Sequence, residues 1–254
     1  MSTLKQRLEN GESIIGTMIT TFMEPDVINM MQVCGLDYVI VDCEHGSLDY
    51  SAVAGLIGRG RALNMPVLVR IPEARREVVL KYMDAGAFGL LLPNCDTAEE
   101  ARALLNLSKY APMGNRGVSM LRGHSCFQPI ADVPAYMNTA NEDTIMMIQV
   151  ESPISIKNLE EILSVEGIDS AFVGPNDLSQ SMGIMGQYQH PDFLKAMDTV
   201  IEIAKKCGKC CGVHFTGNPE DLLPYKAKGM TMNCWSNDIT MMMTKAREGM
   251  AKLK

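Results

Sequence analysis

The chain has 254 residues, 46% hydrophobic and 21% charged, an ordinary globular composition with length enough for a large core. Its net charge is −7 and no dense Lys/Arg run occurs, so neither nucleic acid nor an anionic membrane surface is an expected partner. The polar N-terminus lacks the apolar centre of a signal peptide, and no apolar stretch approaches the roughly 18 residues of a spanning helix, so a cytoplasmic protein is expected.

Short apolar runs recur along the chain. In order they predict strands at Ile14–Thr20, Tyr38–Asp42, Val67–Arg70, Gly89–Leu92, Ile145–Val150, Ser170–Val173, Gly212–Phe215 and Thr231–Trp235. Their residues are aliphatic or β-branched on both faces, as parallel strands buried on both sides require. The stretches between them read as helices. Asp84-Ala85-Gly86-Ala87 looks like a helix end leading into a strand. Thr97 and Glu100 form a capping box that opens a helix over Ala101–Tyr110. Ser152-Pro153 is an N-cap followed by proline at the first helical position. Ile156, Leu159, Ile162 and Leu163 then share one helical face, and Gly167 closes that helix.

Eight β/α units in about 250 residues predict a closed (β/α)₈ TIM barrel, a single domain over residues 1–254. One connection, from Leu92 to Ile145, is unusually long. Beyond its helix it holds Met113–Ala140, rich in Gly, Pro, Ser and Asn, and it is expected over the active-site mouth or at a subunit interface. With no secretion signal, the eight cysteines are read as reduced thiols, and Cys207 and Cys210 form a lone pair with no second ligand pair for zinc. The 21 methionines are read as core fillers.

Candidate site residues stand where the apolar runs stop. In α/β folds that edge is where ligands bind. Glu151 and Asp177 follow consecutive strands, and neighbouring parallel strands lie about 5 Å apart. Two carboxylates so placed can share a hard divalent cation, Mg²⁺ or Mn²⁺ for example. A cap for Asp177 and a surface lysine for Glu151 fit the spacing equally well. Asp42, Glu44 and His45 put two acids and an imidazole in one turn, with His45 a candidate base and Asp84 a candidate carboxylate to fix its tautomer. A loop histidine bonded to backbone is the alternative. Arg70 ends the third strand, where a guanidinium can grip a carboxylate with two parallel bonds or pair with Asp42 or Glu44. Arg116 is a second candidate. Gly174, Pro175 and Asn176 can turn backbone N–H groups toward an anion near a helix start. His214, within a strand, reads as a satisfied core residue. No nucleotide-binding glycine pattern or Walker motif occurs.

These stretches resemble the HpcH/HpaI aldolases, class II pyruvate aldolases acting on 4-hydroxy-2-oxo acids. The resemblance is carried by Val41-Asp-Cys-Glu-His-Gly46, Val67-Leu-Val-Arg70, Leu91-Leu-Pro93, Tyr110-Ala-Pro-Met-Gly-Asn-Arg-Gly117, Gln149-Val-Glu151 and Gly174-Pro-Asn-Asp-Leu-Ser179. It implies a (β/α)₈ barrel with Glu151 and Asp177 as ligands of a divalent cation (Mg²⁺, Mn²⁺ or Co²⁺). It implies that Arg70 holds the pyruvate carboxylate and that His45 works with water in proton transfer. Asp84 would orient His45, and Asp42 would bond within that network. A homohexamer, a trimer of dimers with the last helix exchanged and the site near an interface, is also implied. One departure stands in the long loop. Leu121-Arg122-Gly123-His124 replaces the family's Ala-Arg-Ala, in a segment that helps bind the aldehyde.

The activity so implied is cleavage of a 4-hydroxy-2-oxo acid to pyruvate and an aldehyde. No lysine ends a strand in a position suited to a Schiff base. Two rivals are a lyase or decarboxylase of the same superfamily working on another enolate, such as an acyl-CoA ester lyase, and a non-catalytic 2-oxo acid binding barrel. A CoA ester needs a basic cluster for its phosphates, and the sequence shows none.

Overall fold

The computed structural model describes residues 3–254. Eight parallel strands close into a barrel in sequence order: β1 (Ile14–Ile19), β2 (Tyr38–Asp42), β3 (Val67–Arg70), β4 (Gly89–Leu92), β5 (Ile145–Val150), β6 (Ser170–Val173), β7 (Cys210–Phe215) and β8 (Met232–Asn237). The helices are α1 (Leu4–Glu9), α2 (Asp26–Val33), α3 (Tyr50–Leu63), α4 (Arg76–Ala85), α5 (Ala98–Ser108) and α6 (Val133–Asp143). They continue as α7 (Pro153–Leu163), α8 (Pro175–Ser181), α9 (Pro191–Lys206), α10 (Leu223–Lys228) and α11 (Asp238–Leu253). The expected TIM barrel is thus the observed fold.

The N-caps work as the sequence implies, but α7 ends at Leu163 with Ser164 as its cap, ahead of Gly167, and α5 starts at Ala98 and stops at Ser108, short of Tyr110. Thr97 and Glu100 exchange the two bonds of a capping box at α5, and Ser152 Oγ accepts the Ser155 N–H at the start of α7. Gly86 takes the left-handed conformation, φ 100°, that ends α4. A helix needs such a residue there because the turn would push a Cβ against a carbonyl. Three strands differ from expectation, β1 only in stopping one residue early, at Ile19. β7 starts two residues early, at Cys210, and β8 runs on to Asn237 through a register shift against β1.

Alternation sorts the strand residues into two layers. Val39, Val41, Val67, Val69, Ile148 and Val213 face outward into the helix layer. Ile40, Leu68, Leu91, Met147, Phe172 and Cys234 face inward and fill the barrel. Tyr38 spans the axis near the bottom, its hydroxyl donating to the Asn233 carbonyl at 2.7 Å. Gly16 leaves room for that ring, since a Cβ there would come within 2.5 Å of it. The interior below the strand ends is therefore solid, as TIM-barrel interiors are.

The long connection departs from one expectation. Its irregular part follows α5, and α-to-β connections return to the amino-terminal rim of the strands. Gly123 packs against the carbonyl of Ala85, at the bottom end of α4. The segment therefore lies beneath the barrel, at the end opposite its own site, and does not cover its own mouth. The interrupting His124 is what pins it there. Its ring nitrogens contact the Tyr136 hydroxyl on α6 and the Ser119 carbonyl.

Candidate active site

Arg70 and Asp42 are register partners at the tops of β3 and β2. Arg70 Nε donates to Asp42 Oδ1 at 2.9 Å and Nη2 to Oδ2 at 2.7 Å, a bidentate buried pair. Asp42 Oδ1 also accepts the N–H groups of Glu44 and His45, which folds the turn after β2. Burial acts to raise the Asp42 carboxyl, but Arg70 and these N–H groups outweigh it and hold it below its usual range. Burial likewise opposes the Arg70 charge, and Asp42, Glu44 and Glu151 more than restore it. Glu44 Oε2 lies 3.1 Å from Arg70 Nη1 without accepting a hydrogen bond, so the contact is one of charge alone. A guanidinium has five N–H donors, and Asp42 uses two. Arg70 thus keeps donors for a substrate carboxylate while its own pair fixes its direction.

Glu151, just past β5, is 4% exposed. Its Oε1 accepts from Gln149 Nε2 at 2.7 Å and its Oε2 from the Asn94 N–H at 2.8 Å. Burial, opposed by the Asn94 bond and reinforced by Asp177 and Glu44, pushes its carboxyl up to about 7. Asp177 sits in the first turn of α8, behind the sharp Gly174-Pro175 corner that ends β6. A Cβ on Gly174 would come within 2.7 Å of Gln149 Nε2 and closer still to Glu151 Oε1, so any larger residue at that corner has to push those two side chains aside.

An open cavity of about 750 Å³ occupies the strand ends. Asp42, His45, Arg70, Gly174, Pro175, Asn176 and Asp177 line it, with Glu151 directly behind Gln149 and Gly174. The His45 ring stands at the mouth, its side chain 68% exposed and 3.8 Å from Glu44 Oε2. Asp84 is elsewhere. It ends α4 at the bottom rim and pairs with Arg116 at 2.9 Å. The geometry of α4 thus separates it from His45 in its own chain, and the same pair gives Arg116 a structural role, stacked 4.5 Å above the Tyr110 ring.

The donor set fits a hard divalent cation. Glu151, Asp177 and Glu44 bring three carboxylates into mutual electrostatic reach, and the buried Gln149 Oε1 beside them has no donor. Among the described residues no set of three His, Cys, Asp or Glu side chains is gathered for a metal. A hard divalent ion held by two such carboxylates would take its remaining ligands from water and substrate oxygens, as suits Mg²⁺-type ions.

Sequence reasoning gave no site role to three cavity groups, His214 among them, which it reads as a satisfied core residue. Gln149 interrupts the apolar run of β5 at an inward position, two residues before Glu151, and that period of two was the available signal. His214 occupies the matching inward position on β7 and lines the cavity. Its Nε2 meets the Ser236 carbonyl at 2.9 Å, and burial lowers it to about 4 despite that bond. Tyr188 had no local signal. It reaches the cavity from the loop after α8, where its hydroxyl meets Asn176 Oδ1.

The sequence model of the HpcH/HpaI aldolase/citrate lyase family matches residues 19–244. The hydroxypyruvate/pyruvate aldolase of Deinococcus radiodurans is 32% identical over 254 residues, 100% of this chain and 90% of that protein. The protein of the same name from Roseobacter denitrificans is 30% identical over 213 residues, 84% of this chain and 82% of that one. The crystal structure of an HpcH/HpaI aldolase from Desulfitobacterium hafniense superposes with a TM-score of 0.96 at 31% identity, covering 100% of this chain and 97% of that one. In sequence over nearly its whole length, and in the path of its backbone, the chain belongs to the HpcH/HpaI aldolase/citrate lyase family.

Proposed function

We propose that the protein is a divalent-metal-dependent aldolase that cleaves a 4-hydroxy-2-oxo acid to pyruvate, or a pyruvate-like 2-oxo acid, and an aldehyde. The observation that carries this reading is the convergence of Arg70, His45 and Asp177 on one cavity backed by Glu151. The names of the relatives support the same chemistry.

Glu151 and Asp177 would hold the cation. Such an ion supplies Lewis-acid stabilisation of the negative charge that grows on the keto oxygen as the C3–C4 bond breaks. Arg70, aimed by Asp42, binds the substrate carboxylate through its unused N–H groups. His45, at the wet mouth, takes the proton from the C4 hydroxyl through a water. Gly174 keeps the wall thin enough for Glu151 to sit behind it. We place the protein in the cytoplasm; no helix among the described residues is long and apolar enough to cross a membrane.

We further infer a homo-oligomer, a hexamer by the family's pattern. The α11 helix leaves Met242, Met243, Met250 and Leu253 exposed and buries only Asp238 against its own chain. Asp84 and the Arg122 loop lie at the opposite end from the site they are expected to serve, so that service requires another copy. The deciding experiment measures pyruvate release from a panel of 4-hydroxy-2-oxo acids, with and without EDTA and with Mg²⁺, Mn²⁺ or Co²⁺ restored. Release that persists in EDTA would overturn the metal dependence, and no release from any member would overturn the aldolase reading.

A further inference from the structure

The uppermost inward-facing side chains of the barrel include Asp42, Arg70, Gln149 and His214. The proposed mechanism uses the first two and the Gln149 bond to Glu151, and leaves His214 without a task. On β7 the neighbours Val213 and Phe215 point into the helix layer, so His214 points inward, on the floor of the cavity.

Its protonation follows from its one bond. A carbonyl can only accept, so the nitrogen 2.9 Å from Ser236 O carries the proton, and that nitrogen is Nε2. Ser236 holds its carbonyl there from a left-handed backbone, φ 59°, unfavourable for a residue with a Cβ. The ring is neutral, since burial keeps its proton affinity low. Nδ1 is then a bare lone pair. No donor among the described residues reaches it, and it is not among their buried atoms closed off from solvent. An acceptor on a cavity floor repels a carbonyl or carboxylate and welcomes a donor. Arg70 and its partner Asp42, both within electrostatic reach, oppose each other in sign, so His214 gains no net pull toward an ammonium group from that pair. A hydroxyl is the donor that remains.

Depth decides which part of the substrate carries that hydroxyl. His214 shares its layer with Arg70, which takes the 2-oxo acid carboxylate, whereas the aldehyde lies toward His45 and the mouth. We propose that His214 is a specificity-determining residue whose Nδ1 accepts a hydrogen bond from a hydroxyl on carbon 3 of the 2-oxo acid, so that a 3-hydroxy-2-oxo acid is the preferred carbon nucleophile over its methyl counterpart. This rests on the aldolase reading above.

The test compares hydroxypyruvate and pyruvate as donors to one fixed aldehyde, glycolaldehyde, in wild type, His214→Leu and His214→Asn. Calorimetric titration of each 2-oxo acid into the same proteins gives a second readout. Wild type should favour hydroxypyruvate by about tenfold, the value of one net hydrogen bond to a neutral acceptor. His214→Leu fills the space without an acceptor and should bring the ratio of kcat/KM near one. His214→Asn, with an amide oxygen close to the Nδ1 position, should recover part of the preference. A ratio unchanged in His214→Leu, or both donors weakened in parallel, would overturn the assignment and leave His214 a packing residue. Wild type active with pyruvate but indifferent to the hydroxyl would also overturn it. Wild type inactive with both donors would instead overturn the aldolase reading, and this inference with it.

Discussion

Replacement of Asp238 tests how the mouth is held together. This residue, 2% exposed at the start of α11, accepts from Thr20 N at 3.1 Å, Thr20 Oγ1 at 2.7 Å, Thr21 N at 2.9 Å and Phe22 N at 2.8 Å. The loop after β1, whose Thr20 lines the cavity, hangs on that one carboxylate. Asp238→Ala removes these four contacts with the loop, besides the local one that Oδ1 accepts from Ile239 N at 3.0 Å. At about 1 kcal/mol net for each loop contact, with water reaching part of the loop, the loss is about 4 kcal/mol. For a chain of this length that corresponds to a melting temperature lower by roughly 8–16 °C. Asp238→Asn keeps one oxygen but sets an NH₂ against the Thr21 and Phe22 N–H groups, so it should recover less than half. Burial raises the Asp238 carboxyl, yet the four donors outweigh it and hold the pKa below the usual range. The sign follows from that depression. The contribution is fully present above the unfolded carboxyl's pKa, about 3.9, and is lost as pH falls through the lower folded value. Urea denaturation followed by circular dichroism should therefore show a gap between wild type and Asp238→Ala that is constant from pH 5 to 8 and narrows below pH 4. A melting shift under about 3 °C, or an equal gap at pH 3 and pH 7, would refute the reasoning.

Three further outcomes are expected. Gly174→Ala should weaken Mn²⁺ binding at least roughly tenfold by driving Glu151 and Gln149 aside, with circular dichroism unchanged; normal Mn²⁺ affinity would remove Glu151 from the metal site. Arg70→Lys loses the two-pronged grip and should raise KM for the 2-oxo acid by roughly tenfold or more, and more than for the aldehyde; equal effects on both would cancel its carboxylate role. Replacing Met242 and Met243 with Asp places charge on the exposed face of α11 and should shift light-scattering mass toward the monomer, an unchanged mass excluding that face from the interface.

Much of the fold was legible because its signals are local. The β2, β3 and β5 boundaries follow from apolar runs that end on a charge, since burying an ion inside the run is costly, while β4 and β6 stop at Pro93 and at Gly174-Pro175. The start of β7 was not, because Cys210-Cys211 reads as a thiol motif before it reads as a strand. The site was legible where a residue stands just past a run, as with Asp42, Arg70 and Asp177. It was illegible where one lies inside a run, as Gln149 and His214 do, since a buried polar group there usually has a bland reason. That Asp84 and the Arg122 loop lie away from their own chain's cavity was illegible for another cause. Proximity along the chain says nothing of which rim of a barrel a residue reaches, and α4 and α5 each carry the chain from top to bottom.

The packed interior beneath the site has a kinetic consequence. Tyr38, Phe172, Leu68 and Met147 stop any passage along the barrel axis, so the cavity opens at the strand ends. A molecule seated on Arg70 and His214 cannot depart while a second one stands between it and the mouth. Cleavage should then release the aldehyde first and the 2-oxo acid second. In steady state the 2-oxo acid should compete with the substrate for the free enzyme, and the aldehyde should not.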